Sequence, residues 1–298
     1  MSYSTPTGRV KFDRAWTVRD HRSMVRTLNL NTRGLTTKCV EMNLHGRELR
    51  ISSLFRRAGE HLILLVHGLG CSKQSFSDAF ASDELIGYSL CSIDLPGFGD
   101  SDCLPAHCYS LETYTDVVGH VLEKLDFAHV SIVGHSMGGA LGLLASQELQ
   151  AVDHFISIEG NLVSEDSGLV SRNIAAQSPG EFVESGYAEL LRKLEDSTDS
   201  ASHLWASWIR QADPYALHGS ARSLVEWSDS GKLLDWMNAR PRASYFYGTS
   251  SAPNYLLPRL QVGNVVEVPD SGHFAMVDNP TFTYRALAGI LGGGVAGE

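Results

Sequence analysis

The 298-residue sequence is short of positive charge, of long apolar runs and of paired cysteines. Its 24 Lys and Arg face 34 Asp and Glu, a formal net charge of -10, which argues against a nucleic-acid partner, since phosphates are met by basic surfaces. The longest apolar runs, such as Leu62 to Val66, are far too short to cross a bilayer, and Met1 to Arg14 lacks the apolar stretch of a secretory signal. With no membrane span and no leader of that kind, a cytoplasmic location is expected. The five cysteines, Cys39, Cys71, Cys91, Cys103 and Cys108, are odd in number and lack metal-ligand spacing, so reduced thiols are expected. Only Cys103 and Cys108 invite a bridge, and then in an oxidising setting. Nothing in this inventory calls for a metal or an organic cofactor.

What is present is 43% hydrophobic and 19% charged, ordinary for a globular enzyme and ample for a core. The length suits about two average domains, or one α/β core carrying an insertion. Apolar runs at His61 to Val66, Ser89 to Ile93, Val130 to Val133 and His154 to Ile158 read as buried parallel strands, each followed by turn residues and a helical stretch. Cys39 to Leu44 and Glu48 to Phe55, around His45-Gly46-Arg47, read as an opening antiparallel hairpin. Two late strands are expected at Ala243 to Tyr247 and Val265 to Val268.

Between Asn161 and about Arg240 the strand pattern stops. Helical runs at Glu181 to Leu194 and His203 to Gln211 flank a polar loop, Glu195 to Ser202, and four of the five tryptophans fall here. This reads as a helical insertion between two strands of a sheet, with residues 1–160 and 241–298 forming the core and 161–240 a cap. No internal repeat is visible, and the Gly292-Gly293-Gly294 tail is expected to be mobile.

The segment Val130-Ser131-Ile132-Val133-Gly134-His135-Ser136-Met137-Gly138-Gly139-Ala140 has the form strand, sharp turn, helix, with the helix expected over Ala140 to Leu149. Gly134 and Gly138 allow a turn too tight for a side chain at the flanking positions, which lifts the Ser136 hydroxyl beyond the strand end. The following helix aims its free N–H groups and positive dipole end at the same point. A serine needs a base, and the best placed of twelve histidines is His273, in a loop after the Val265 to Val268 strand. His67-Gly68-Leu69-Gly70 follows another strand directly, so the N–H of Leu69 can join that of Met137 as an oxyanion hole. Asp94, in Asp94-Leu95-Pro96-Gly97, reads as structural rather than catalytic.

The motifs His67-Gly68, Asp94-x-Pro96-Gly97-x-Gly99-x-Ser101, Gly134-His135-Ser136-Met137-Gly138 and Gly272-His273, in this order, resemble those of the α/β-hydrolase superfamily with a helical cap. The resemblance covers nearly the whole chain from about Val40. It implies an α/β-hydrolase fold, with a mostly parallel eight-stranded sheet flanked by helices, and a triad of serine, histidine and acid. It implies no particular substrate, because this fold hosts many chemistries. A serine at position 136, where an aspartate would suggest an epoxide hydrolase or haloalkane dehalogenase, points to acyl transfer to water.

The same resemblance places the acid just after the strand that follows the cap, yet Gly248-Thr249-Ser250-Ser251-Ala252 offers serine there, and no carboxylate occurs between Arg242 and Gln261. Without an acid the triad loses about 10⁴ in rate. Glu159, at the end of the His154 to Ile158 strand, is the expected substitute, as in a minority of the superfamily. A buried strand end is a costly place for an unpartnered carboxylate. Asp270 is the fallback, with Asp166, Asp213 and Asp278 weaker, and replacing Ser251 is expected to matter little.

The leading expectation is a hydrolase of carboxylic esters, lactones or thioesters acting on a small apolar or aromatic acyl compound. The cap's tryptophans with Phe182, Tyr187 and Tyr215 suggest an apolar or aromatic pocket, although packing within the cap accounts more simply for most of them; Phe76, His135, Trp205, Trp208 and Phe274 are the candidate pocket residues. Cleavage of a carbon–carbon bond or amide on the same triad, or a ligand sensor that keeps the fold, remain alternatives, and a homodimer is left open.

Overall fold

The computed structural model describes residues 34–149 and 152–292. The readings of residues 1–14 and of the glycines at 293 and 294 lie outside these. β-branched and leucine-rich runs with no polar face form the central strands β3 (His61–Val66), β4 (Ser89–Ile93), β5 (His129–His135) and β6 (Val152–Ile158), whose side chains are buried on both faces. With β1 (Thr36–Leu44), β2 (Arg47–Arg56), β7 (Ala243–Gly248) and β8 (Asn264–Val268) they make one sheet in the order β1-β2-β4-β3-β5-β6-β7-β8. Both pairings of β2 are antiparallel and all others are parallel. This is the α/β-hydrolase fold expected from the sequence.

The opening hairpin turns in two residues, because His45 and Gly46 both adopt positive φ, 50° and 83°. Arg47 therefore begins β2 rather than belonging to the turn. Helices α1 (Leu111–Leu125) and α2 (Met137–Glu148) cover the sheet, and α2 starts earlier than the sequence suggests, directly after Ser136. Not every strand leads into an α-helix: β3 is followed by a 3-10 segment, Lys73–Ala81, kinked at Phe76, and β7 by the 3-10 turn Thr249–Ser251.

Between β6 and β7 the chain forms α3 (Gly168–Ala175), α4 (Tyr187–Glu195), α5 (Ser200–Ile209), α6 (Pro214–Asp229) and α7 (Lys232–Ala239). A helical turn, Pro179–Glu181, and a π-helical turn, Phe182–Gly186, lead into α4. The expected loop over Glu195 to Ser202 is shorter than its polarity suggests. Glu195 ends α4, and the Asp199 carboxylate accepts the N–H groups of Ala201 and Ser202, starting α5 three residues before His203. The helical segment is fastened to the sheet side by polar contacts. The Tyr109 hydroxyl donates to Asp213 at 2.8 Å, Tyr114 meets Ser220 at 2.9 Å, and the Trp205 indole N–H donates to the Leu69 carbonyl at 2.8 Å. The last described element is α8 (Pro280–Gly292).

Sequence inspection missed the partner of Asp94. This fully buried carboxylate accepts the Lys73 backbone N–H at 2.6 Å and pairs with the buried Lys73 ammonium, which also reaches Asp100 at 2.7 Å. The pair ties the loop after β3 to the loop after β4. All five cysteines are free. No helix among the described residues is long and apolar enough to cross a membrane. Replacing Lys73 by Met strands a buried charge, so the unfolding free energy is expected to fall by about 3–5 kcal/mol, measured by urea denaturation.

Candidate active site

At the end of β5 the chain reverses into α2 through Ser136, whose φ of 52° and ψ of -120° lie outside the regions open to most L-residues. A Cβ at Gly134 would strike the Gly138 carbonyl, and one at Gly138 would strike the carbonyls of Val66 and His67. Only glycines let strand, turn and neighbouring loop approach so closely. Met137 is the first residue of α2, so its N–H has no intrahelical acceptor and points out of the helix N-terminus. Across from it runs Gly68-Leu69-Gly70. Gly68 lies so near His135 and Ser136 that a Cβ there would meet the His135 Nδ1 at 2.8 Å.

His273 follows β8 on a loop and turns its Nδ1 to the Glu159 Oε2 at 3.3 Å. Glu159 directly follows β6, with φ of 50°, and its side chain is only 8% exposed, whereas the His273 ring is half-exposed. Its other oxygen accepts the Gly248 N–H at 2.7 Å and the Ser251 hydroxyl at 2.6 Å. The structure thus brings Ser136, His273 and Glu159 to one end of the sheet. Asp270, the fallback acid, lies on the same loop as His273, but the ring nitrogen is turned to Glu159. Ser251, taken from the sequence as unimportant, is a hydrogen-bond donor to the buried carboxylate. The signal available was the serine itself, standing where the superfamily's usual acid would be.

Two cavities meet at His273. An inner one of about 250 Å³ is lined by Ser136, Gly68, Leu69, Asn161, Val170 and His135, among others; an outer cleft of about 570 Å³ is lined by Asp199, Ser250, Ser251, Asp270 and Asp278, among others. Trp205, His273 and Phe274 border both. Asn161, not singled out in the sequence, has its Oδ1 3.5 Å from the Ser136 hydroxyl. Two candidate pocket residues need correction. Phe76 is fully buried in the hydrophobic core, and Trp208 packs edge-on against Phe274 at 5.7 Å without bordering either cavity. Phe182 is likewise core, Tyr187 donates to the Ile209 carbonyl, and Trp227 packs at a tilt against Trp236.

His135 is buried beside the His273 ring, centroids 4.7 Å apart, and its Nε2 lies 2.8 Å from the His273 carbonyl oxygen, which fixes the proton on Nε2. Burial, reinforced by the neighbouring His273, holds His135 well below its ordinary 6.5. His67 is lowered by burial as well; its Nε2 accepts the Leu95 N–H, leaving Nδ1 to donate to the Gly68 carbonyl. Both rings are neutral struts of the loops around Ser136.

A model of the alpha/beta hydrolase family matches residues 63–286. The chain belongs to this family. It is 30% identical over 116 residues, 37% of this chain and 39% of that protein, to the 2-hydroxy-6-oxononadienedioate/2-hydroxy-6-oxononatrienedioate hydrolase of Burkholderia vietnamiensis. Other curated relatives are matched over 35% of their length, so the chain spans well under half of the relatives it resembles. Among solved structures, the N-acyl homoserine lactonase AidH complexed with N-butanoyl homoserine superposes with a TM-score of 0.69 at 18% identity, covering 88% of this chain and 98% of that one. The esterase EaEST of Exiguobacterium antarcticum superposes with a TM-score of 0.69 at 17% identity, covering 86% and 100%.

The neutral buried histidines have a consequence for this family member's stability. Below about pH 6.5 the unfolded chain takes up protons that folded His67 and His135 refuse, so stability present above that pH is lost as pH falls through it. The urea midpoint is expected to be lower at pH 5.5 than at pH 7.5; a midpoint that rises on acidification would contradict the assignment.

Proposed function

We propose that the chain is a serine hydrolase that cleaves a carboxylic ester or a related acyl bond, such as a lactone or thioester, through an acyl-enzyme on Ser136. The observation that carries the reading is the contact of His273 Nδ1 with buried Glu159, beside a serine held in a strained turn. Nδ1 engaged with a carboxylate leaves Nε2 as the base. It removes the Ser136 proton as Oγ attacks the carbonyl carbon, and then delivers that proton to the leaving group. Glu159 fixes the tautomer and stabilises the imidazolium. The oxyanion meets the N–H groups of Leu69 and Met137, and water activated by His273 releases the acid. Neither step requires a metal or an organic cofactor.

The structural neighbours named as esterase and lactonase support acyl substrates, while the Burkholderia relative keeps carbon–carbon bond hydrolysis as the second reading. The residues 161–240 act, in this proposal, as a cap that walls the acyl site with Trp205.

Ser136→Ala is expected to abolish labelling by a fluorophosphonate and all turnover. Glu159→Gln should fold normally and lose about 10³–10⁴ in kcat, as triads do when the acid no longer holds the tautomer. Near wild-type hydrolysis in that variant would sink the assignment of the acid. Ser251→Ala removes a hydrogen bond to a charged group and is expected to lower kcat about tenfold, with Ser251→Thr recovering most of it; an unchanged kcat would reinstate the view that Ser251 is inert.

A further inference from the structure

Resting on the serine-hydrolase reading, we infer that this site takes a short, uncharged acyl group in its inner cavity and a leaving group that is neutral or cationic in its outer cleft, and that it rejects substrates whose leaving group carries a carboxylate. The assignment of the two halves follows from which residues border which space. Ser136 and the Leu69 loop border only the inner cavity, so the carbonyl and its acyl chain lie there. His273 borders both, and it is the group that returns the proton. When the bond from the carbonyl carbon to the leaving oxygen breaks, its electron pair goes to that oxygen and the proton arrives from Nε2, so the departing alcohol stands on the outer side of the ring.

The inner cavity, about 250 Å³, lies below the roughly 300–1,000 Å³ of pockets that hold drug-sized ligands. At about 30 Å³ for a water-sized group it holds roughly eight heavy atoms. Leu69, Val170, Trp205 and Phe274 give it apolar walls. Its one carboxylate, Asp166, is already engaged, accepting the Tyr255 hydroxyl and the N–H groups of Leu162 and Val163.

The outer cleft differs in charge. Asp199, Asp270 and Asp278 line it with the hydroxyls of Ser200, Ser202 and Ser250, and no Lys or Arg borders either cavity among the described residues. The N-terminus of α5 opens onto this cleft and would by itself attract an anion, but the Asp199 carboxylate occupies its free N–H groups. Asp278 similarly takes the Gly272 N–H. The backbone N–H groups of Ala201, Ser202 and Gly272 are therefore filled by the protein's own acids. An incoming anion finds three carboxylates and no cationic partner, whereas a hydroxyl or ammonium finds acceptors.

The test uses three butanoate esters that differ in leaving alcohol: choline (cationic), 1,2-propanediol (neutral) and glycolate (anionic), each corrected for its rate with hydroxide. The kcat/KM for the choline ester is expected to exceed that for the glycolate ester by about tenfold or more at 10 mM salt, where the Debye length is long, and the ratio should shrink several-fold at 0.5 M. Asp199→Asn keeps the helix cap, and Asp270→Asn suits the φ of 53° there; together they should reduce the low-salt ratio at least threefold. A ratio near one, or one that neither salt nor the double variant moves, overturns this inference while leaving the serine-hydrolase reading intact. If Ser136 reacts with a fluorophosphonate but no butanoate turns over, the inference also falls. If, in addition, Ser136 is unreactive, the functional reading falls with it.

Discussion

Between β5 and α2 the backbone reverses within a space that admits no side chain at Gly134 or Gly138, and the surrounding site is arranged around that reversal. Ser136 takes the strain, in a conformation held by the close approach of the loop after β3 on one side and β6 on the other: the Ser136 N–H donates to the Ile158 carbonyl at 3.0 Å. Because the turn is braced by both neighbouring strands, the end of β6 and the loop after β3 are in register with the serine. Strain at one residue is thereby set against packing of the whole sheet centre.

The loops that meet there are stiffened from behind by groups with no part in the proposed chemistry. Lys73 and Asp94 join the loops after β3 and β4, neutral His67 bridges the same two, and His135 supports the His273 loop through its carbonyl. These are buried polar groups whose partners are other loops, so each converts a flexible connection into a fixed one. The Trp205 indole extends this bracing into the helical segment, since its N–H holds the carbonyl of Leu69.

In the proposed triad the acid comes from a strand next to the one where the sequence resemblance would place it. Glu159 reaches His273 from the end of β6, while Ser251, after β7, donates a hydroxyl hydrogen to the same carboxylate. The neighbouring strand ends lie side by side in the sheet, so the longer glutamate side chain reaches the His273 ring from the adjacent strand. The site retains a polar residue on both strands, with the charge on one and the supporting donor on the other.

Local pattern made much of this legible from the residues alone. Apolar runs bounded by turn residues marked the central strands, the glycine spacing marked the strained turn, and the lack of any carboxylate between Arg242 and Gln261 directed attention to Glu159. Those features are local because sterics and burial act on neighbours in the chain. Tertiary structure alone decided which aromatic side chains border the cavity: Trp205 and Phe274 do, whereas Phe76 and Trp208, equally apolar, are buried in the core. It alone paired Lys73 with Asp94 and Ser251 with Glu159, because those contacts join loops from different strands and depend on distances that no spacing along the chain encodes.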